Sequence, residues 1–390
     1  MTAGETVYSD EGHLSYYTRH GVSPVRYEIG DLHAHFCRRD ALFRRLGVPP
    51  QAFRGSRVLE VAAGSGHNSL FVAACRPAEL HLIEPNPAGR ADIAAAYASL
   101  TLPHTAPRLH AVRLEEFTDQ EPFDIVICEN WLGWLPKDRA AIRQLSSLVV
   151  PGGILVLTSF PAPGFLANVV RKIMADILSV PGEPFERRAD RMVAAFGPHL
   201  STMPSMTRSH RDWVIDCMLN SHFLNVILPV DVVLDEIGAD MDITGSSPAF
   251  HHDWRWFKSL SGDRTGNNAL FQASYLGNVH NFIDHRLVLP ARNADANRTL
   301  EQACLDFHST AITIERDFDP AVAGPQAALA LVRVIAAVGE CHRTIADALA
   351  EAAEWLAAPC PSVETVATMR RFNGLFGREC THLSLVRRHS

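Results

Sequence analysis

The sequence predicts an α/β fold with a doubly wound, mostly parallel sheet, and three observations carry that expectation. From residue 57 to residue 160, short runs rich in β-branched residues alternate with helical stretches, the order that places helices on both faces of a parallel sheet. The first run passes directly into a turn of small residues, "VLEVAAGSGHNSL" at 58–70. Residues 265–378 contain no strand run of comparable quality, so a large α-helical region shares the chain.

The elements follow in order. Residues 31–50, "DLHAHFCRRDALFRRLGVPP", space Leu32, Phe36, Leu42, Phe43 and Leu46 as one helical face and stop at a double proline. The strand runs are "RVLEVAA" at 57–63, "ELHLIEP" at 79–85, "RLHAVRL" at 108–114, "FDIVICEN" at 123–130 and "GGILVLTSF" at 152–160. After Pro161 the period becomes helical, and residues 164–228 read as helices broken at Pro181, Pro184, Pro198 and Pro204. "VDVVLDEIGADMDITGSSP" then reads as a helix, a stop at Gly238 and a further strand. The run "PQAALALVRVIAAVGECHRTIADALAEAAEWL" reads as one helix of about 30 residues, roughly 45 Å long.

These readings divide the chain into 1–160, 161–228, 229–264, 265–378 and 379–390. The first is an N-terminal helical stretch with the sheet core, the second a helical cap, and the third a continuation of the sheet. The fourth is the helical region, and the last a possible final strand. For that final strand two segments compete, "DWRWFKSL" at 253–260 and "CTHLSLVRRHS" at 380–390. The second is preferred because its apolar and polar residues alternate as a two-faced strand requires.

Composition narrows the partners. The net charge of -7 is spread along the chain, and "ERRADR" at 186–191 mixes acids with its arginines. No phosphate-tracking surface is therefore expected, and nucleic acid is a poor partner. The 8 cysteines stand singly, without CxxC pairs, which suits reduced thiols in a cytoplasmic protein rather than a disulfide framework or a zinc site. Apolar runs are interrupted well before the roughly 20 residues of a membrane span. No membrane partner is expected, and oligomerisation cannot be read.

The glycine turn serves either of two cofactors, because a missing Cβ lets a ligand approach the backbone. A nicotinamide dinucleotide would want a third small residue at position 69, where Ser69 stands. A S-adenosylmethionine (SAM) site asks for an acid two residues before the glycine series. Glu60 stands there, followed by Ala62, Gly64 and Gly66, with the first glycine of that series replaced by alanine. Glu84 ends the next strand, where a carboxylate can accept both ribose hydroxyls of either cofactor.

With these motifs in order, residues 57–160 resemble the core of a class I SAM-dependent methyltransferase with a Rossmann-like sheet. "VLEVAAGSG", "LHLIEPNP", "FDIVICENWLGWL" and "LVVPGGILVLTSF" carry the likeness. The wider stretch from "HFCRRDALF" is similar to bacterial methyltransferases of surface-glycan or secondary-metabolite pathways, with "EVAAG" in place of their usual "EFGPG". The resemblance implies that Glu60, Ala62, Gly64 and Gly66 hold the methionine moiety and Glu84 the ribose. It places Leu114 and Glu115 at the adenine, and Glu129 and Asn130 beside the transferable methyl. It also implies a sheet that ends in an antiparallel strand.

Methyl transfer from a sulfonium needs an aligned acceptor and, for a hydroxyl, a group to take its proton. Two clusters offer one, "SHRDWVIDC" at 209–217 and "PAFHHDWRWFK" at 248–258. His210, Asp212, His251, His252 or Asp253 would serve as base, and Trp213, Trp254 or Trp256 as an apolar wall. The plainer reading makes the aspartates helix caps and the tryptophans core residues. "ENWLGW" lacks the Asn/Asp-Pro-Pro-aromatic element of enzymes that methylate nucleic-acid amino groups. No metal is expected, since pairs such as His308 with Glu315 usually solvate a helix.

The expected function is SAM-dependent methylation of a small-molecule acceptor, on a hydroxyl of a sugar or pathway intermediate. An NAD(P)-dependent oxidoreductase using the same turn, and a non-catalytic SAM-binding interaction protein, are the alternatives.

Overall fold

A computed structural model of the chain describes residues 12–23, 26–118, 121–133, 135–203, 206–260, 265–339 and 342–389. Its centre is a seven-stranded sheet in the order β3-β2-β1-β4-β5-β7-β6. The strands are β1 (Arg57–Val61), β2 (Glu79–Ile83), β3 (Arg108–His110), β4 (Phe123–Cys128), β5 (Val149–Ser159), β6 (Met241–Ser247) and β7 (Thr381–Arg387). β1 to β5 pair in parallel, and β7 runs antiparallel to both β5 and β6.

The helices before β5 are α1 (Gly12–His20), α2 (Leu32–Arg45), α3 (Pro50–Phe53), α4 (Ser69–Ala74), α5 (Pro87–Ser99) and α6 (Pro136–Ser147). Both faces of the sheet are covered, so its strands are apolar on both sides. Val58, Leu80, Ile125, Ile127 and Val156 pack against Phe43 of α2, Phe71 of α4 and Ile93 of α5. Leu59, Val126, Leu155, Leu157, Leu383 and Leu385 pack the other way against Ile142 and Leu145 of α6. Two further helices join that second face, α10 (Val230–Ile237) through Val233 and α11 (Thr265–Asn278) through Phe271 and Tyr275.

A helical body grows from the carboxyl edge of the sheet. It consists of α7 (Ala162–Ile177), α8 (Phe185–Leu200), α9 (His210–Trp213), α12 (Ala294–Arg316), α13 (Ala323–Val338), α14 (Arg343–Leu356) and α15 (Val363–Ala367). One core joins residues that precede β6 to residues that follow it, among them Leu166, Ile173, Phe196, Phe307, Leu331, Leu349 and Phe372. α7 is buried on every side from Ala162 to Ala175, as a helix at the centre of a bundle must be.

The final strand is the C-terminal segment. Residues 253–260 form no strand, only a single 3-10 turn at Phe257–Ser259. Because β7 sits between β5 and β6, everything from α11 to α15 is an insertion bounded on both sides by sheet. Two helix expectations are corrected. The 30-residue helix is divided at Gly339, whose φ of 75° ends α13 at Val338, a backbone region that glycine enters without a Cβ penalty. Pro198 lies within the last turn of α8 rather than breaking it. Pro204 lies outside the described residues. "RLHAVRL" is strand only to His110 and then turns into a 3-10 segment at Leu114–Glu116.

Candidate active site

The site is built at the carboxyl ends of β1, β2 and β4, where doubly wound sheets bind ligands. After β1 the backbone enters the left-handed region at Ala62 (φ 58°), Gly64 (φ 58°) and Gly66 (φ 72°). Ala62 therefore sits in a backbone region that glycine enters more freely, at a local cost of about 1 to 2 kcal/mol. A Cβ at Gly66 would lie 2.6 Å from Cγ1 of Ile93, so the turn and α5 can meet only across a glycine.

Glu84 closes this turn from β2. Its carboxylate accepts from the Gly64 amide at 2.7 Å and from the Asn86 amide at 2.8 Å. Burial raises its pKa, and those two amides oppose the rise. Glu60 is buried at the end of β1. Its pKa is pushed up to about 8 by burial and by the charge of Glu129, which Arg39 only partly offsets.

Glu129 is the centre of the charged cluster. Arg39 of α2 grips it with two parallel hydrogen bonds of 3.1 and 2.9 Å. Asn68 donates to it at 3.2 Å, and Nε2 of His382 on β7 lies 3.4 Å away. Despite full burial, the Arg39 guanidinium and His382 hold the Glu129 carboxyl well below its ordinary range. Burial opposes charge on His382 too, yet Cys380 and Glu129 together lift its pKa to about 10. Beside Glu129, Asn130 is left-handed (φ 57°) and donates its amide to the Thr158 hydroxyl at 2.7 Å.

Val22, Tyr27 and Glu28 meet this edge. The Val22 carbonyl accepts from Asn86 at 3.2 Å, the Tyr27 amide donates to the His67 ring at 3.2 Å, and the Glu28 amide donates to the Thr207 carbonyl at 2.8 Å. Tyr27 is raised in pKa by its burial and then by Glu129. On the helical body, Arg208 pairs with Asp216 at 2.9 Å, and Asp216 also accepts from Tyr17. Val214–Met218, the turn that carries Asp216, is π-helical, a local widening frequent at functional sites.

The remaining sequence candidates are placed as follows. Leu114 is buried, and its carbonyl accepts from Gln144 at 2.8 Å, whereas Glu115 is exposed. His210 opens α9, capped by Ser209 rather than by Asp212. Trp213 is a core residue. His251 is held by the Ser274 hydroxyl of α11 at 2.8 Å, and His252 is exposed. Asp253 is not brought to the glycine turn. It pairs with Arg255 at 2.6 Å and lines a groove with Gly152 and Arg388, at the amino edge of the sheet. Trp254 and Trp256 are neither core nor the wall of a closed cavity; both are exposed.

His308 of α12 contacts the Leu224 carbonyl, and Glu315 pairs with Lys172 of α7. Among the described residues no group of three or more His, Cys, Asp or Glu could hold a metal ion. Arg39, His382, Tyr27 and Arg208 were not candidates from the sequence. Arg39 alone left a signal, as a basic residue breaking the apolar face of α2.

Residues 33–197 match the family described as a methyltransferase domain. Uncharacterized proteins of Mycobacterium tuberculosis and Mycobacterium bovis are 32% identical over 120 residues, 30% of this chain. The chain spans 42% of the length of these curated relatives. Among solved structures, N-methyltransferase NodS from Bradyrhizobium japonicum with S-adenosyl-l-homocysteine aligns with a TM-score of 0.31 at 14% identity, over 55% of this chain and 76% of its own. PKMT2 from Rickettsia typhi aligns with a TM-score of 0.40 at 16% identity, over 62% and 50%. The order β3-β2-β1-β4-β5-β7-β6 with β7 reversed also departs from the classic 3-2-1-4-5-6 order of dinucleotide-binding sheets. The glycine turn and its two strand-end carboxylates thus lie within residues 33–197, the stretch of this chain that matches a methyltransferase domain.

Proposed function

We propose that this chain transfers a methyl group from SAM to a small-molecule acceptor, on a hydroxyl of a sugar or pathway intermediate. The observation that carries the reading is the position of Glu60, a carboxylate buried at the end of β1 beside the glycine turn and raised to about 8 by its burial and by the charge of Glu129. An amino-acid ammonium beside it would restore its charge, while Glu84 keeps lone pairs for ribose hydroxyls beyond the two amides it already accepts from. The residues present thus fit the cofactor, which supplies an electrophilic methyl and its own leaving group when bound.

The chain's own residues then align and shield. Glu60, Ala62, Gly64 and Gly66 hold the methionine end, Glu84 the ribose, and the turn at Leu114 and Glu115 the adenine. Glu129 and Asn130 flank the reacting centre. Arg39 and His382 keep Glu129 charged and fixed in orientation, and Val22, Tyr27 and Glu28 help exclude water from that edge. A hydroxyl acceptor gives its proton to a histidine, and His210, His251 and His252 are the candidates. The position of Asp253, paired with Arg255 at the opposite edge, supports no such role.

Incubation of the chain with methyl-labelled SAM and a small-molecule extract tests the activity, with Glu60→Ala as control. Label should move to a small product with the parent protein and not with the variant. Cofactor binding by calorimetry without any label transfer would instead favour the non-catalytic SAM-binding reading.

A further inference from the structure

A run of exposed large apolar side chains lies at the edge of the sheet opposite the glycine turn. In the segment after β6, Trp254 is 93% exposed, Trp256 61%, Phe257 68% and Leu260 44%. None of the four belongs to a hydrophobic core. Scattered surface leucines need no explanation, but adjacent large aromatics in water mark a contact surface.

The charge around this patch differs from that of the chain. Residues 251–260 carry Arg255 and Lys258 against Asp253, in a chain of net charge -7. The Lys258 ammonium lies 4.7 Å over the Trp256 ring. An adjoining groove of about 510 Å³ adds Arg387, Arg388 and His389 to Asp242 and Asp253; Arg255 pairs with Asp253 and Arg388 with Asp242, which leaves the basic excess on Lys258 and Arg387. Aromatic rings with an apolar body and a polar N–H, interleaved with basic side chains, match a bilayer interface: the rings enter the headgroup level and the cations meet acidic lipid.

We propose that the Trp254–Leu260 surface docks reversibly on an anionic lipid bilayer. No helix among the described residues is long and apolar enough to cross a membrane, so this is contact with a surface and not insertion of a span. The groove lies at the amino edge, beside Gly152 and the end of β7. Docking there leaves the carboxyl edge, with Glu60 and Glu84, facing away from the lipid. The inference is independent of the proposed activity.

The test floats the full chain with phosphatidylcholine vesicles and with vesicles holding about one-third phosphatidylglycerol. Binding is expected on the anionic vesicles at low salt, falling to background at about 0.5 M salt, with tryptophan fluorescence quenched by brominated acyl chains. The triple variant Trp254→Ser, Trp256→Ser, Phe257→Ser should melt like the parent and lose about tenfold or more in vesicle affinity. Lys258→Glu should lose less. Failure to float on anionic vesicles at low salt overturns the proposal, as does a triple variant that floats like the parent. A dimer that becomes monomeric on triple substitution, without vesicle binding, would assign the patch to a second copy of the chain instead.

Discussion

In the helical body, Lys172 has a side chain 3% exposed, and its ammonium stands 2.7 Å from Asp176 and 2.7 Å from Glu315. Arg171, equally buried, donates to the carbonyls of Phe372 and Asn373 and lies 3.8 Å over the Phe376 ring. At the carboxyl edge of the sheet the arrangement is different. Arg39 and His382 both turn to Glu129, and among the described residues Glu60 has no cation of its own. The Lys172 ammonium is met by two carboxylates within the chain, so these charges hold helices together. At the carboxyl edge, Glu60 stays buried beside Glu129 with only partial help from Arg39, and the proposed function seats the ligand's ammonium there.

Breaking the Lys172 cluster should have the largest effect. Lys172→Met leaves the part-buried Asp176 and Glu315 with only Arg188, 3.7 Å from Asp176, and should cost about 3 kcal/mol, read from urea unfolding at neutral pH. A loss below about 1 kcal/mol would show that water reaches the cluster and that the two regions do not differ as described.

Glu60→Gln sharpens the contrast because its two effects have opposite signs. Loss of a charged hydrogen-bond partner should weaken SAM binding by about 1.5 to 3 kcal/mol, one to two decades in affinity by calorimetry. The unliganded variant should nevertheless melt higher than the parent at pH 9. Unchanged SAM affinity would remove Glu60 from the cofactor site. Glu84→Ala should lose binding by a similar amount.

The pH profile carries the same sign. Glu60 has its folded pKa raised to about 8, above the ordinary carboxylate range, and His382 is raised to about 10. Each contributes stability that is present below its unfolded pKa and lost as pH rises through the folded value. Thermal stability of the free protein should therefore fall between about pH 4.5 and 8 on account of Glu60, and between about 6.5 and 10 on account of His382. Glu60→Gln should flatten only the lower limb. SAM affinity should rise over that same limb, because binding requires the ionised carboxylate. A parent protein equally stable at pH 5 and pH 8, with Glu60→Gln indistinguishable from it, would contradict the buried-acid account.

The smallest effect belongs to the turn. Ala62→Gly removes left-handed strain but adds freedom to the unfolded chain, so a net gain of only about 0.5 kcal/mol is expected, with SAM affinity unchanged. A destabilised variant would mean that the Ala62 methyl makes a packing contribution larger than its strain.

The strands, the glycine turn and the acids at its flanks were legible in the sequence, because each depends on neighbours along the chain. Alternation of Leu383, Leu385 and Thr381 with polar residues even identified the last strand across a long helical insertion. The division of α13 from α14 was less legible, since a glycine in a helical pattern marks a break only when its φ is positive. The partners of Glu129 were not legible at all. Arg39 precedes it by 90 residues and His382 follows it by more than 250, so no local period joins them.

By itself, then, the sequence determined the α/β architecture, the glycine turn after β1 and the strand-end positions of Glu60 and Glu84, because backbone geometry and strand-end position follow from short-range pattern. Only the tertiary structure decided which cations would meet which acids. It put β7 between β5 and β6, which carries His382 to Glu129, and it sent the Trp254 segment to the opposite edge from the glycine turn. Those outcomes depend on how the strand order brings distant segments side by side, and on the desolvation that makes a buried charge seek a partner.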